Sequence, residues 1–543
     1  MNFGHSKIRR PVNEPILNYL PGSKEKLELK EMLMELKDQV MEIPLVIGGE
    51  AIKTGNVKEI RIPHNHGHIL AKYHLAGEEE LKLAKEKALE AKETWQGLSM
   101  DQRAAIFLKA AQLISGPYRA LLNAATMLGQ SKNVFQAEID SACEIIDFLR
   151  FNINYMQEIY SEQPDSVVSE WNRLEYRPLE GFVLAITPFN FTAIGGNLPT
   201  APAMMGNTII WKPSNNAVYS NYLFMSILEE AGLPAGVINF VPSLGEDVER
   251  VLLKDRDLAG VHFTGSSKVF HRIYKTIGEN LYNYKSFPRI VGETGGKDFV
   301  FAHPSADVDA LSVALVRGAF EFQGQKCSAA SRAYIPLSIF DEVYIRIKEM
   351  TDEITMGETE DFRNLVNAVI DKKAFDKIAG YIEWAKEDPD SDIIIGGTYD
   401  DSKGYFVKPT VILTNNPKSK TMEEEIFGPV LTMYVYEDDQ FDNVLGLCDE
   451  TSPYGLTGAI FARDREVIEK MTKALYQSAG NLYINDKPTG AVVGQQPFGG
   501  GRKSGTNDKA GSKLNLLRWV NVRNIKENYI PPKSYEYGFM VEK

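Results

Sequence analysis

Three cysteines stand at positions 143, 327 and 448 of a 543-residue chain, and Cys327 has the setting best suited to chemistry. It lies in Gly324-Gln-Lys-Cys-Ser-Ala329, where small neighbours leave a thiol room to meet a substrate and Lys326 could lower its pKa or attract a carboxylate. The alternative, a buried inert thiol, fits Cys143 and Cys448 better. Glu293, in Val291-Gly-Glu-Thr-Gly-Gly-Lys297, stands among glycines where a strand should end and could act as a base. Asn190, between Phe189 and Phe191, could turn its amide N–H toward a developing oxyanion, or it could simply form a turn. None of the eight histidines sits in a partner motif, so a cysteine hydrolase is disfavoured.

Gly265-Ser266-Ser267 falls between a strand and a helix, so backbone N–H groups there could hold a pyrophosphate, although a capped turn reads the same way. Lys212, at a strand end before Pro213, could reach ribose hydroxyls or phosphate. Glu425 and Phe427, before Gly428-Pro429, could clamp a ribose and a flat ring, or be a helix end and a turn. A thiol, an acid, an oxyanion donor and a nucleotide site together define one chemistry. An aldehyde carbon cannot release hydride until a nucleophile makes it tetrahedral. Cys327 would form the thiohemiacetal, a nicotinamide would take the hydride, and Glu293 would activate water against the remaining thioester.

The elements that must position these groups show in the periodicity. From about residue 180, short β-rich runs alternate with helical ones: Phe182 to Ile186, Thr208 to Trp211, Val237 to Val241 and Ala259 to Phe263, with helices expected over Val218 to Ala231, Glu246 to Lys254 and Ser267 to Ile277. This rhythm predicts a parallel sheet covered on both faces, whose carboxyl ends gather ligands. Those ends carry Thr187-Pro-Phe-Asn190, Lys212-Pro-Ser214 and Thr264-Gly-Ser266. A second α/β domain is expected from about Asp298 to Ile460. Upstream, Ser23 is expected to cap a helix with Leu29, Leu33, Leu36, Val40 and Ile43 on one face, and Leu45 to Thr54 to form a hairpin at Gly48-Gly49. Leu81, Ala84, Ala88, Ala91 and Trp95 mark a helix, and Ser99 with Gln102 a capping box.

Composition sets the frame. The chain is 43% hydrophobic and 24% charged with a net charge of −13, which fits a folded globular protein and argues against nucleic acid or an anionic membrane as partner. The uncharged stretch Gly181 to Trp211 is broken by prolines and asparagines and reads as buried strand, loop and helix rather than a membrane span. No metal site is expected: His64, His66 and His68 share one strand face without a fourth ligand and read as solvated. Three scattered cysteines and an N-terminus without an apolar leader point to a cytoplasmic protein, with the mitochondrial matrix as the alternative.

At these residues the sequence resembles the aldehyde dehydrogenase superfamily. The resemblance rests on Pro188-Phe-Asn-Phe191, Trp211-Lys-Pro-Ser214, Phe263-Thr-Gly-Ser266, Glu293-Thr-Gly-Gly-Lys297, Gly324-Gln-Lys-Cys327 and Glu425-Ile-Phe-Gly-Pro429, in family order with 34 residues from Glu293 to Cys327. It implies an α/β fold of two doubly wound parallel-sheet domains with a small β oligomerisation hairpin. The NAD-binding domain would span 1–159 and 180–291, the catalytic domain 292–500, and the hairpin and C-terminal tail 160–179 and 501–543. It also implies Cys327 as nucleophile, Glu293 as general base and Asn190 as oxyanion donor. Thr187, Lys212, Gly265, Ser266, Ser267, Glu425 and Phe427 would contact NAD.

More narrowly, Thr192-Ala-Ile-Gly-Gly-Asn-Leu198, Gln325-Lys-Cys-Ser328 and Asn485 to Gly500 resemble the Δ1-pyrroline-5-carboxylate dehydrogenases, which oxidise L-glutamate γ-semialdehyde to L-glutamate in proline catabolism. That resemblance implies a substrate α-carboxylate held by the backbone N–H groups of Gly490 and Ala491, further contacts from Lys326 and Ser328, and Phe191 and Phe498 packing the aliphatic stem. On an extended strand Lys326 would point away from the Cys327 pocket. The aromatic tail residues Trp519, Tyr529, Tyr535, Tyr537 and Phe539 call for a covering partner, a second copy of the chain at least. Two other readings remain at this level: the same chemistry on another aldehyde, and a catalytically silent protein on this fold.

Overall fold

In the computed structural model, which describes residues 6–541, the β-rich runs between Phe182 and Glu293 align as five parallel strands. Their order is Arg289–Glu293, Leu258–Thr264, Phe182–Ile186, Thr208–Lys212 and Ile238–Phe240. The hairpin Leu45–Ile47 and Glu50–Ile52 extends the sheet antiparallel. Strand alternation sorts the side chains into two cores. Val183, Ala185, Ile209 and Trp211 pack with Phe224 and Leu228 on one face, while Phe182, Leu184 and Ile210 pack with Leu81, Ala84, Phe270 and Ile273 on the other. Burial on both faces explains why these strands read as unbroken apolar runs.

A second sheet follows, ordered Ser391–Ile395, Thr410–Thr414, Val430–Tyr436, Ala330–Pro336, Asp298–Ala302, Thr457–Phe461 and Asn481–Ile484. All neighbours are parallel except the edge strand Ser391–Ile395. Apart from both sheets, Glu170–Pro178 pairs antiparallel with Val520–Asn528; the segment 160–179, expected as a hairpin, supplies this single strand, and its first residues close helix Ile145–Ser161. The uncharged stretch is strand Phe182–Ile186, helix Thr192–Met204 and strand Thr208–Lys212. Among the described residues no helix is long and apolar enough to cross a membrane.

Several expectations need correction. The helix capped by Ser23 ends at Asp38; Val40 is exposed and Ile43 enters strand Met41–Ile43, which pairs with Asn65–His74. The helix expected from Glu246 starts at Gly245 and widens to a π-helix over Glu249–Leu253. The three histidines do not share a solvated face. His64 is fully buried between Ser131 Oγ and Glu360 at 3.0 Å each, and His66 and His68 bond the Asp401 and Lys37 carbonyls. Trp519 is not a tail residue awaiting cover: it is buried against His262, with ring centroids 4.7 Å apart.

Candidate active site

The carboxyl ends of four adjacent strands bring Thr187, Lys212, Gly265-Ser266 and Glu293 side by side. Thr187 N donates to Lys212 O at 3.1 Å and Gly265 N to Glu293 O at 3.2 Å, which ties neighbouring strand ends together. Gly265 is required here, because a Cβ would lie 2.8 Å from the Phe263 ring, itself stacked on Phe270. Ser266 caps helix Ser267–Glu279 by accepting from Val269 N, and Ser267 Oγ donates to Tyr454 OH at 3.2 Å.

Lys212 is largely buried, and burial lowers its ammonium to about 8. Among the described residues its only hydrogen bond goes to the Pro213 carbonyl at 3.2 Å, with no carboxylate opposite. A buried cation without a counter-charge suits phosphate or ribose oxygens. Glu425 accepts from Gly296 N at 3.0 Å and fills the place a side chain on Gly295 would take. Burial raises its carboxyl above the usual range. Phe427, at φ +61, holds its ring edge-on to Phe189 at 5.9 Å. Phe189 follows strand Phe182–Ile186, so Phe427 stands near the strand ends that carry Lys212 and the helix N-terminus; a cation, a helix N-terminus, a carboxyl and an aromatic ring so gathered could hold a dinucleotide.

The nucleophile loop is bent into place. Phe322, Gln323 and Gly324 are all left-handed, at φ 51, 55 and 64, a conformation costing about 1 kcal/mol or more at each non-glycine position. Gln323 offsets this strain: its side chain donates to Ser131 O and Ala368 O, at 2.9 and 2.8 Å, and accepts from Asn367 N at 3.0 Å. Gly324 fits because a Cβ would meet Gly428 O at 2.1 Å. The bend delivers Cys327 to a turn, not a strand. Lys326 therefore does not point away from it: both line one cavity of ≈ 320 Å³.

Asn190 reaches this loop directly. Its Nδ2 donates to Gln325 O at 3.1 Å, and the second N–H of the amide has no partner among the described residues. Asp140 accepts from Thr192 N and Ala193 N, at 2.9 and 2.8 Å, and pairs with the fully buried Lys132 at 2.6 Å. Lys132 lies 4.1 Å from the Phe191 ring centroid and 4.4 Å from that of Phe322. This buried pair ties the segment after Asn190 to the Phe322-Gln323-Gly324 bend.

The cavity wall carries Cys327, Glu293, Lys326, Ser328, Phe191, Phe498, Gly490 and Ala491. Cys327, Glu293 and every expected substrate residue thus line one cavity, whereas Asn190, the third expected catalytic residue, is not among its lining residues. Ser328 Oγ bonds Thr489 Oγ1 at 2.8 Å, joining the nucleophile turn to the loop holding Gly490, which is at φ +96. Burial pushes the Cys327 thiol well up, reinforced by Glu293, Asp298 and Glu425, so the resting nucleophile is protonated. Burial also raises Glu293 to about 8, with Lys509 pulling the other way. A carboxyl raised this far could exchange a proton with water near neutral pH.

Three contributors escape a reading of the sequence alone. Glu144 lines the cavity with its carboxyl raised to about 8 by burial and then by Asp140. Its signal is a charge in the apolar run Ala142-Cys-Glu-Ile-Ile-Asp-Phe148, at the end of a π-helical turn, Glu138–Glu144. Lys487 lies in the segment Asn485 to Gly500 that carries the narrower resemblance, with nothing local to single it out. Ile16, from the N-terminal segment, has no local signal.

The chain belongs to the aldehyde dehydrogenase family, whose model matches residues 52–525. It is 54% identical to the mitochondrial Δ1-pyrroline-5-carboxylate dehydrogenase of Dictyostelium discoideum, over 100% of this chain and 98% of that one. It is 47% identical to the mitochondrial human enzyme of the same name, covering 99% and 96%. The fold superposes with a TM-score of 0.96 on the crystal structure of the Δ-pyrroline-5-carboxylate dehydrogenase from Mycobacterium tuberculosis bound with NAD, at 48% identity and full coverage of both chains.

Proposed function

We propose that this chain oxidises L-glutamate γ-semialdehyde, the open form of Δ1-pyrroline-5-carboxylate, to L-glutamate with NAD. The cavity supports the reading: Cys327, Glu293, Glu144 and the loop residues Gly490 and Ala491 all line it, and a short aldehyde with a charged far end needs a thiol, a base and polar anchors within one space. Full-length identity near 50% to relatives of that name supports the same substrate.

Cys327 attacks the aldehyde carbon as its thiol proton passes to ionised Glu293, which gives it up to solvent before the later hydrolysis, and the free Asn190 N–H stabilises the oxyanion. When bound, NAD supplies the hydride acceptor. Lys212, the N-terminus of helix Ser267–Glu279, Glu425 and Phe427 would hold it, with Thr187 at the neighbouring strand end. Collapse of the thiohemiacetal leaves a thioester on Cys327. Glu293, ionised, removes a proton from water, the C–S bond breaks, and L-glutamate and the thiol are released. The α-carboxylate fits the backbone N–H groups of Gly490 and Ala491, and the α-ammonium fits Glu144, whose carboxyl ionises more readily once a cation lies beside it. Phe191 and Phe498 cover the methylenes, while Ser328 and Lys326 border the polar end.

In domain terms, the first sheet with its covering helices would bind NAD, the second would carry the nucleophile, and the ribbon Glu170–Pro178 with Val520–Asn528 would join two copies, covering exposed Trp171, Tyr529, Tyr535, Tyr537 and Phe539. The relatives' names favour a mitochondrial location over the cytoplasm. The chemical assignment is tested by Cys327→Ala, which should abolish NADH formation while leaving NAD binding by fluorescence titration unchanged. Turnover at the wild-type rate would overturn it.

A further inference from the structure

The N-terminal segment crosses the helical layer without regular structure and is tied down by charge. Glu14 accepts from Arg119 and Arg150 at 2.6 Å each and from Ser115 Oγ at 2.8 Å. Leu17 N and Tyr19 OH donate to Glu138 at 2.8 and 2.7 Å. These ties hold Asn13 against the outer side of the loop that carries Gly490 and Ala491, and Ile16 in the cavity wall.

Asn13 uses both ends of its amide there. Its Nδ2 donates to Asp147 Oδ2 and to Val493 O, at 2.7 Å each, and its Oδ1 accepts from Gln495 Nε2 at 2.9 Å. Glu14 N completes the Asp147 carboxylate at 2.8 Å. Inside the loop, Gln495 N and Gln496 N both donate to Val492 O, and Gln496 returns its side chain to Val492 N at 2.9 Å. Among the described residues, Asn13 is the one group from outside the loop that hydrogen-bonds the backbone of residues 490–496. A loop that must present two N–H groups to a carboxylate is thus fixed from behind by a residue more than 470 positions away in sequence. Asparagine suits this position because it carries two donors and one acceptor on a short stem, whereas aspartate would lose both donations and face Asp147 with a like charge.

We propose that Asn13 is a positioning residue that sets specificity for carboxylate-bearing aldehydes by holding the Gly490-Ala491 loop in its binding shape. This rests on the reading that the loop anchors the substrate α-carboxylate. Asn13 touches neither Cys327 nor the dinucleotide groove, so its loss weakens the anchor and leaves the chemistry intact.

The test is steady-state kinetics of Asn13→Ala with NAD and either L-Δ1-pyrroline-5-carboxylate or propanal, together with inhibition by L-glutamate. The KM for the first substrate and the Ki for L-glutamate should each rise about tenfold, as expected for loss of a positioning hydrogen bond. Its kcat should stay within about twofold, and kcat/KM for propanal and the KM for NAD should not move. An unchanged KM and Ki in the variant, beside a wild-type preference for the carboxylate-bearing substrate, would overturn the inference alone. Equal losses on both aldehydes would also overturn it, because they would show general support of the fold. A wild-type enzyme indifferent between the two aldehydes would overturn the anchor reading and this inference with it. Gln495→Ala guards against misfolding, since it leaves every tie of Glu14 and Leu17 in place. It should raise the same KM by a smaller factor, with Asn13→Ala/Gln495→Ala no worse than Asn13→Ala; additive losses would contradict a shared contact.

Discussion

Replacing Glu293 by glutamine removes a base without changing the shape of the cavity. With Glu293 near pKa 8, the ionised share is about 1% at pH 6, about 9% at pH 7, about 50% at pH 8 and about 90% at pH 9. Where thioester hydrolysis limits turnover, wild-type kcat should therefore rise about ninefold from pH 6 to 7 and less than about twofold from pH 8 to 9. Glu293→Gln should lose this rise and turn over about 10²- to 10⁴-fold more slowly. Its first turnover should survive, because thioester formation ends when hydride leaves. Rapid mixing followed at the NADH absorbance should show a burst approaching one NADH per Cys327, then a stall, and mass spectrometry should find the acylated protein. Steady turnover of Glu293→Gln at the wild-type rate, or a wild-type profile flat from pH 6 to 8 with hydrolysis rate-limiting, would refute the assignment.

Lys212→Met should weaken NAD binding about tenfold or more, measured by fluorescence quenching, because a largely buried cation without a counter-charge at the strand ends is lost; unchanged affinity would remove Lys212 from the cofactor site. Gln323→Ala deletes the bonds that hold the left-handed bend, so alkylation of Cys327 by iodoacetamide and kcat should both change by about tenfold or more, while unchanged values would show that the bend holds itself. His262 is buried, its Nδ1 donating to Leu198 O at 2.9 Å, and burial lowers it from 6.5 to about 4. Because the folded pKa lies below the unfolded one, its contribution to stability is complete above pH 6.5 and is lost as pH falls toward 4. The loss amounts to about 3 kcal/mol. Urea unfolding of wild type and His262→Gln should diverge less at pH 4 than at pH 7 by that order, and a constant difference would contradict it.

Much of the nucleotide end is legible in the sequence because its determinants are local. Thr187, Lys212, Gly265 and Glu293 each end an apolar run, and parallel strands necessarily gather such ends at one edge. The helix boundaries at Ser23, Ser99 and Gly232 are legible for the same reason, since caps act within a turn. What is not legible depends on distant packing. An extended strand would turn Lys326 away from Cys327; the left-handed Phe322-Gln323-Gly324 bend, held by Ser131 and Ala368, turns the segment instead. Glu144, Ile16 and Asn13 enter or support the substrate wall only because an N-terminal strap and a π-helical turn are pressed against a loop near residue 490. His64 and Trp519 likewise look peripheral by pattern but are buried by partners remote in sequence.

The central claim is that one cavity couples Cys327 chemistry to recognition of a carboxylate-bearing aldehyde. Its most direct test is NADH formation by the purified protein with NAD and L-Δ1-pyrroline-5-carboxylate, run beside propanal and beside NADP. The expected result is rapid NADH formation with the first substrate and far lower kcat/KM with propanal. Equal or better turnover of propanal, or no NADH from L-Δ1-pyrroline-5-carboxylate, would contradict it.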